Sequence, residues 1–498
     1  MPRREQPGDL TNARPRRSPV AAGVALLIVG GVAVWWLASR LPASYSITTM
    51  GYADFGGGPG ESAGHTGHGD GSGISIETLA TDPSLVPDVT VDLVARQGQV
   101  RLADGRVVKG FTLNGTSPGP AITAVAGQLV QVRVRNEDVA DGLTLHWHGL
   151  DVPNSVDGVA GVTQDAIMPG ETYGYRFIPR QAGTFWYHSH QMSHPQVLGG
   201  LLGPLIILPS DKGSDAVDLT ALVHLYGGVR TINGAAGESH VPAAPGTVAR
   251  VRLINTDGGP MPVWVPGASF RVIAVDGSDV HEPGLVHDQA VLVTAGARVD
   301  LAVVVPDTGA VRIAMAGAGL VVGAGSAPSG PAPSVFVDLL QYGTPAPIGF
   351  DPSTPDRRFD YTIGRSFGLL DGVPGLWWTI NGHQYPDVPM FMVAEGDVVA
   401  FRVTNNSGEV HPMHLHGHHA LVLARNGRPA TGSPWWVDSL NVENGESYDI
   451  VLRADNPGIW MDHCHNLPHA REGLMTHLAY IGYTTPYVVG DPHRNHPE

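Results

Sequence analysis

Hydrophobic residues fall into two patterns along this chain. Near the start they form one block, "VAAGVALLIVGGVAVWWLA" from Val20 to Ala38, nineteen residues without a charge. From about residue 89 onward they come in short Val-, Ile- and Leu-rich runs that alternate with polar residues, as in "ETYGYRFIP" (171–179) and "ESYDIVLRA" (446–454). A period of two predicts strands with one buried face. Sixty-five glycines and forty-one prolines punctuate these runs, which favours an all-β chain over a helical one.

The block is just long enough to cross a bilayer as a helix. Arg3, Arg4, Arg14, Arg16 and Arg17 precede it and only Arg40 follows closely. The positive-inside rule predicts a cytoplasmic tail over 1–19, a single-pass transmembrane anchor over 20–38 in the cell membrane, and an extracytoplasmic remainder. Trp35 and Trp36 sit at its outer end like an interfacial anchor. The alternative is a cleaved signal peptide and a secreted protein. A Gly-rich linker is expected over 39–88, most clearly in "GYADFGGGPGESAGHTGHGDGSGIS" (51–75). His65 and His68 within it read as part of a solvated spacer rather than a metal trap.

Beyond the linker the chain repeats itself. Asn114-Gly115, Asn233-Gly234 and Asn381-Gly382 are each followed, after nineteen, nineteen and twenty-one residues, by "RVRN", "RLIN" and "RVTN". Gly170 and Gly183, Gly296 and Gly309, and Gly445 and Gly458 are each thirteen apart. Long-period self-similarity predicts repeated units, here Greek-key β-sandwiches over 89–211, 212–345 and 346–486, with a tail over 487–498.

Alignment of the units shows where chemistry is kept. "HWHG" places His146 and His148 in the first unit, and "HPMHLHG" places His411, His414 and His416 in the third. The second has Met261, Trp264 and Pro266 there. Later, "HSH" (His188, Ser189, His190) in the first unit matches "HCH" (His463, Cys464, His465) in the third and "AMA" (314–316) in the second. The middle unit is blank at every candidate ligand.

In a strand, residues i and i+2 share a face. Each H-x-H therefore aims two imidazoles at one point. Four such pairs at equivalent positions of two repeats predict a cluster of several metal ions between units one and three. Cys464 is the only cysteine, so it forms no disulfide within the chain. With His411 and His469 it makes the two-imidazole, one-thiolate set of a blue-copper electron-transfer site. Zinc fits poorly, since structural zinc sites commonly use four ligands and several cysteines. The side chains flanking Cys464 point to the opposite face of its strand, where they can reach the cluster. An electron leaving a thiolate-bound copper would then have a short covalent route through the backbone. The formal charge of −16 and the lack of a basic patch exclude nucleic acid as a partner.

"HWHG", "HSH", "HPMHLHG" and "HCHNLPHAREGL", in that order, resemble the four copper-binding segments of the multicopper oxidases, the family of laccases, bilirubin oxidases and bacterial copper-tolerance oxidases. The resemblance implies three cupredoxin domains and four copper ions. His411, Cys464 and His469 would be type 1 ligands, and His146 and His414 the type 2 pair. His148, His188, His190, His416, His463 and His465 would be the type 3 set. Asp157 matches the family's acidic residue near the cluster, a proton-handling role. The axial type 1 position falls on Leu474 rather than Met475. Some relatives carry a carboxylate where this chain has Ala470, which leaves Glu472, Asp157 or water to supply protons. The implied reaction couples one-electron oxidation of a small reducing substrate to reduction of dioxygen to water. Phenols or aromatic amines are the expected substrates, with cuprous or other metal ions as the alternative.

Overall fold

The computed structural model describes residues 19–58, 73–210 and 217–498. His65 and His68, and the cytoplasmic tail expected before residue 19, lie outside the described residues. The chain has an all-β, cupredoxin-like architecture. Its strands pack around three large apolar cores, formed by residues of 93–207, 221–322 and 340–480.

Alternation builds these cores. In Val130–Asn136, Val130, Val132 and Val134 turn inward while Arg133 and Arg135 face solvent. That strand lies parallel to Val89–Arg101. The same parallel pairing recurs between Val217–Tyr226 and Val248–Asn255, and between Arg357–Leu370 and Val398–Asn405. The repeated sequence markers now have a physical reason. Asn114, Asn233 and Asn381 each take a positive φ at the turn before Gly. Their side-chain oxygens accept from Val94 N, Leu222 N and Thr362 N of the neighbouring strand. The asparagines that end the second marker are buried and donate to two chain segments at once. Asn136 reaches the carbonyls of Val139 and Ile167, Asn255 those of Gly259 and Val293, and Asn405 those of Glu409 and Val442. Each pins a long loop to a strand.

Two sheets carry the site. In the first unit His146–His148 pairs antiparallel with Gly183–His188, in a sheet with Leu202–Leu208 and Ile122–Val125. In the third, His411–Leu415 pairs antiparallel with Ile459–Cys464, which pairs with Met475–Tyr480. The middle unit forms an eleven-stranded sheet.

Two expectations need correction. The stretch expected to be linker is partly built into the third unit. Tyr52–Asp54 extends its sheet in parallel with Pro389–Val393, and Ile74–Ser75 pairs with Tyr483–Thr484. Ile47 and Ile76 are buried there, so these segments are held by apolar packing that glycine content conceals. The expected tail is also packed: Val489, Asn495 and Pro497 are buried, and Asn495 bonds to Asp165 and Val488.

Pro19–Ala38 forms a 20-residue helix. Its C-terminal end docks on a hairpin turn, with Trp36 donating to the Gly372 carbonyl and Arg40 to that of Asp371. Among the described residues no helix is long and apolar enough to cross a membrane. The membrane crossing expected at 20–38 is therefore not established by the structure.

Candidate metal centres

The strand register decides which imidazoles meet. His146 stands opposite His188, and His414 opposite His463. Packing of the first unit against the third brings the two faces together. Three groups of buried ligand atoms result: His146, His148 and His414; His148, His188 and His465; and His190, His416 and His463. Across the unit boundary, Nε2 of His146 lies 3.4 Å from Nε2 of His414, and Nε2 of His190 lies 3.4 Å from Nε2 of His463.

Partners behind the rings fix which nitrogen faces the centre. Nδ1 of His146 lies 2.9 Å from the Asp157 carbonyl, and Nδ1 of His416 lies 2.9 Å from the Asp157 carboxylate. Nδ1 of His414 donates to the Asp438 carbonyl. His148 is held the other way round, with Nε2 3.1 Å from Ser439 Oγ and 3.3 Å from the Asp438 carboxylate. The inward nitrogens are left without partners: Nδ1 of His148, Nε2 of His188 and His416, and both nitrogens of His465 are buried and unsatisfied. Burial pulls His148, His188, His190, His416, His463 and His465 well below the ordinary histidine range, so these rings are neutral. Neutral, desolvated imidazoles with unused lone pairs facing each other are a costly arrangement unless metal ions take those lone pairs. The residues present fit copper ions.

On the far side of Ile459–Cys464 lies a second centre. Cys464 is fully buried, and its Sγ stands 3.5 Å from His411 Nδ1 and 3.7 Å from His469 Nδ1. The two nitrogens are 3.1 Å apart. A metal bonded at about 2.0 Å to nitrogen and about 2.3 Å to sulfur fits inside that triangle. Ser407 Oγ holds Nε2 of His411 at 2.7 Å. Asn466 and Glu409 flank Nε2 of His469 at 3.1 and 3.4 Å. Burial pushes the Cys464 thiol up and pulls His411 down to about 3. The sulfur would thus ionise only on binding a cation. Leu474 lies in the same apolar core as Cys464, and its carbonyl accepts from Cys464 N. Met475 belongs to a different cluster on the opposite face.

Glu472 stands on this side of the molecule. Its carboxylate accepts from Trp378 Nε1 at 2.9 Å, and the Trp378 ring packs against His411 (4.7 Å between centroids) and His469 (4.4 Å). Asp157, by contrast, touches two cluster imidazoles that come from different units. Replacing Asp157 with Asn keeps the size but loses the charge that orients His146 and His416. We expect metal affinity or turnover to fall about 10- to 100-fold, as for other partners behind metal-bound histidines. Copper content after dialysis and oxygen uptake check this.

Several contributors were not singled out from the sequence. Asp438 holds His148 and His414 from behind and is itself gripped by Arg298 at 2.6 Å. Burial alone would raise its carboxyl, but the guanidinium and the imidazole N–H groups outweigh that and hold it well below the ordinary range. Arg298 and its second acid, Asp276, come from the middle unit. Asp276 is raised to about 6 by burial and by Asp438. The middle unit also supplies Gly296, where a Cβ would come within 2.8 Å of the His148 ring. It is blank in ligands yet walls the cluster. Glu498 reaches in from the C-terminal segment, 3.5 Å from His463 Nδ1 and 4.0 Å from His190 Nε2. Both of its carboxylate oxygens are buried without a hydrogen-bond partner. His418 and His419 pack behind the cluster, against Tyr480 and against Asp151 and Asp438. His194 lines the cavities on either side of Pro468.

Comparison with known proteins agrees with this geometry. Two family models, both described as multicopper oxidase, match residues 95–212 and 358–481. The chain is 28% identical to Laccase-1 of Botryotinia fuckeliana over 455 residues, covering 75% of this chain and 78% of that protein. It is 28% identical to the multicopper oxidase MmcO of Mycobacterium tuberculosis over 486 residues, covering 82% and 92%. A crystal structure of a multicopper oxidase from Pseudomonas thermotolerans superposes with a TM-score of 0.65 at 28% identity, covering 78% of this chain and 98% of the other. Matched segments in the first and third units, and buried imidazoles and a thiol set for several coppers, lead to one conclusion: the chain belongs to the multicopper oxidase family.

Proposed function

We propose that this oxidase takes single electrons from phenols or aromatic amines at the Cys464 side and reduces dioxygen at the histidine cluster. The observation that carries the reading is the back-to-back placement at Cys464. Its sulfur meets His411 and His469 on one face of the strand, and His463 and His465 join the cluster on the other. In this reading His411, Cys464 and His469 hold type 1 copper, with Leu474 at the axial position. His146 and His414 hold type 2. His148, His188 and His465 hold one type 3 ion, and His190, His416 and His463 the other. When bound, copper supplies one-electron acceptance at the thiolate and four-electron reduction of dioxygen to two waters at the cluster.

The protein's own contribution is orientation and insulation. Leu474 offers no donor atom and keeps the sulfur in apolar surroundings, which favours a high potential. Asp157 and Asp438 lock the ring tautomers. Asp157, between two cluster imidazoles, is the residue placed to hold a proton there. Glu472 serves the donor side instead, where it lines a cavity of about 580 Å³ together with Trp377, Tyr385, Leu370 and Val373. A cavity of this size with aromatic walls and three carboxylates, Asp371, Glu472 and Glu498, suits a small aromatic donor. The overall change is 4 ArOH + O₂ → 4 ArO• + 2 H₂O.

One observation favours the metal-ion alternative: Met390, Met392, Met461 and Met475 gather in a single buried cluster. Steady-state kinetics with a phenolic dye and with cuprous ion separate the two. We expect the higher kcat/KM with the phenol; a strong preference for cuprous ion would overturn the aromatic reading. We also place the protein at the cell membrane with its oxidase portion outside, held by the Pro19–Ala38 helix, whose Leu26, Leu27, Ile28 and Val29 are exposed. Recovery of the full chain in the soluble fraction of lysed cells would contradict this; the alternative of secretion after cleavage would show as a mature start beyond residue 38.

A further inference from the structure

The methionine cluster contains one residue that packing does not explain. On Met475–Tyr480, residues 475, 477 and 479 face away from the Cys464 core, toward the side that carries His463. The register places His477 directly opposite Met461 on one neighbouring strand and Met390 on the other. The three side chains therefore stand in one row on one face, since paired residues of adjacent strands point the same way. All three are buried, and Nε2 of His477 has no hydrogen-bond partner. The next row along the same face pairs Met475 with His463.

Methionines alone would read as adaptable core filling. An imidazole in the middle of them does not. Leucine would fill the volume without burying a nitrogen that water can no longer solvate. Nothing charged stands in the row, so the nitrogen has no acid or base to serve. A soft cation satisfies it: two thioethers and one neutral imidazole are a ligand set that selects monovalent copper. A divalent, harder ion would find no carboxylate or carbonyl oxygen among these three side chains.

We propose that Met390, Met461 and His477 form a cuprous-ion site separate from the four family coppers. It lies on the cluster side of the third unit, across the sheet from Cys464, and none of its three residues lines the cavity beside Glu472.

The test uses tag-free, fully copper-loaded enzyme, reduced and kept anaerobic, titrated with cuprous ion against a chromogenic cuprous chelator. The wild type is expected to bind one cuprous ion beyond four. His477→Leu is expected to abolish that equivalent, and Met461→Leu and Met390→Leu to weaken it at least tenfold. The methionine changes conserve volume, so folding is kept, and an unchanged blue band and unfolding midpoint confirm it. A stoichiometry of four in the wild type overturns the proposal. So does a fifth equivalent that none of the substitutions weakens, because the ion then sits elsewhere. Neither result bears on the family assignment, which rests on other residues.

Discussion

Cys464→Ser enzyme will be colourless and will consume oxygen only at background rate with every donor, yet its histidine cluster will still bind copper. The substitution is nearly isosteric at a fully buried position, so the fold is retained. Serine occupies the equivalent position in the first unit, Ser189, where it is buried between two cluster histidines and donates to Gln196 at 2.6 Å. The backbone pattern thus tolerates a hydroxyl between two cluster ligands. What is lost is the soft thiolate, the only one the chain can offer. His463 and His465 keep their register and their neighbours. Elemental analysis should therefore find about three coppers per chain. Loss of all copper would mean that the two centres are not independent across the strand, and retained turnover would mean that electrons do not enter at the sulfur.

The second large effect is expected at Asp438. Its carboxylate sits at the junction of all three units, against Arg298 from the middle one, His148 from the first and His414 of its own. Asp438→Ala leaves the guanidinium of Arg298 buried with only Asp276, 3.5 Å away, as an acidic partner. Breaking one side of a buried ion pair typically costs about 3–5 kcal/mol. The same change removes the carboxylate behind two cluster imidazoles and leaves His148 only Ser439 Oγ and His414 only the main-chain carbonyl, which should lower metal affinity about 10- to 100-fold. Unfolding in urea with and without excess copper separates the two contributions. Excess copper should restore part of the loss, because a ligand that binds only the folded state stabilises it by mass action. Asp438→Asn, which can still accept from both rings, should fall between. An alanine variant as stable as the wild type would contradict the picture of the middle unit as a clamp on the cluster.

How much of this is legible in the chain follows from the kind of signal each residue carries. The four H-x-H pairs were readable because strand geometry forces i and i+2 onto one face, and because two repeats carry them at matching positions. Cys464 was readable for the same reason, since its neighbours must then face away. The middle unit read as blank, and among its described residues none joins the metal-ligand groups. Its actual contribution, Arg298, Asp276 and Gly296, did not show. These are single residues whose role exists only once three units pack together. Asp438 carries no local motif, in "WWVDSL", and Glu498 lay in a stretch that read as tail. The linker misled because "GYADFGGG" is rich in glycine, while Ile47 and Ile76, the residues that tie the flanking segments down, are isolated apolar positions. Glu472 was placed near the chemistry by sequence distance from His469, but a short helix, Leu467–Arg471, turns it toward Trp378 rather than toward the cluster.

The most direct measurement is an anomalous difference map from crystals of the copper-loaded enzyme, collected at the copper edge. The account predicts one peak bonded to Cys464 Sγ and the Nδ1 atoms of His411 and His469. It predicts three more on the other face of the same strand, two of them bonded to His463 and His465 respectively. A sulfur with no copper beside it, or flanking imidazoles that touch none of the remaining peaks, would contradict it.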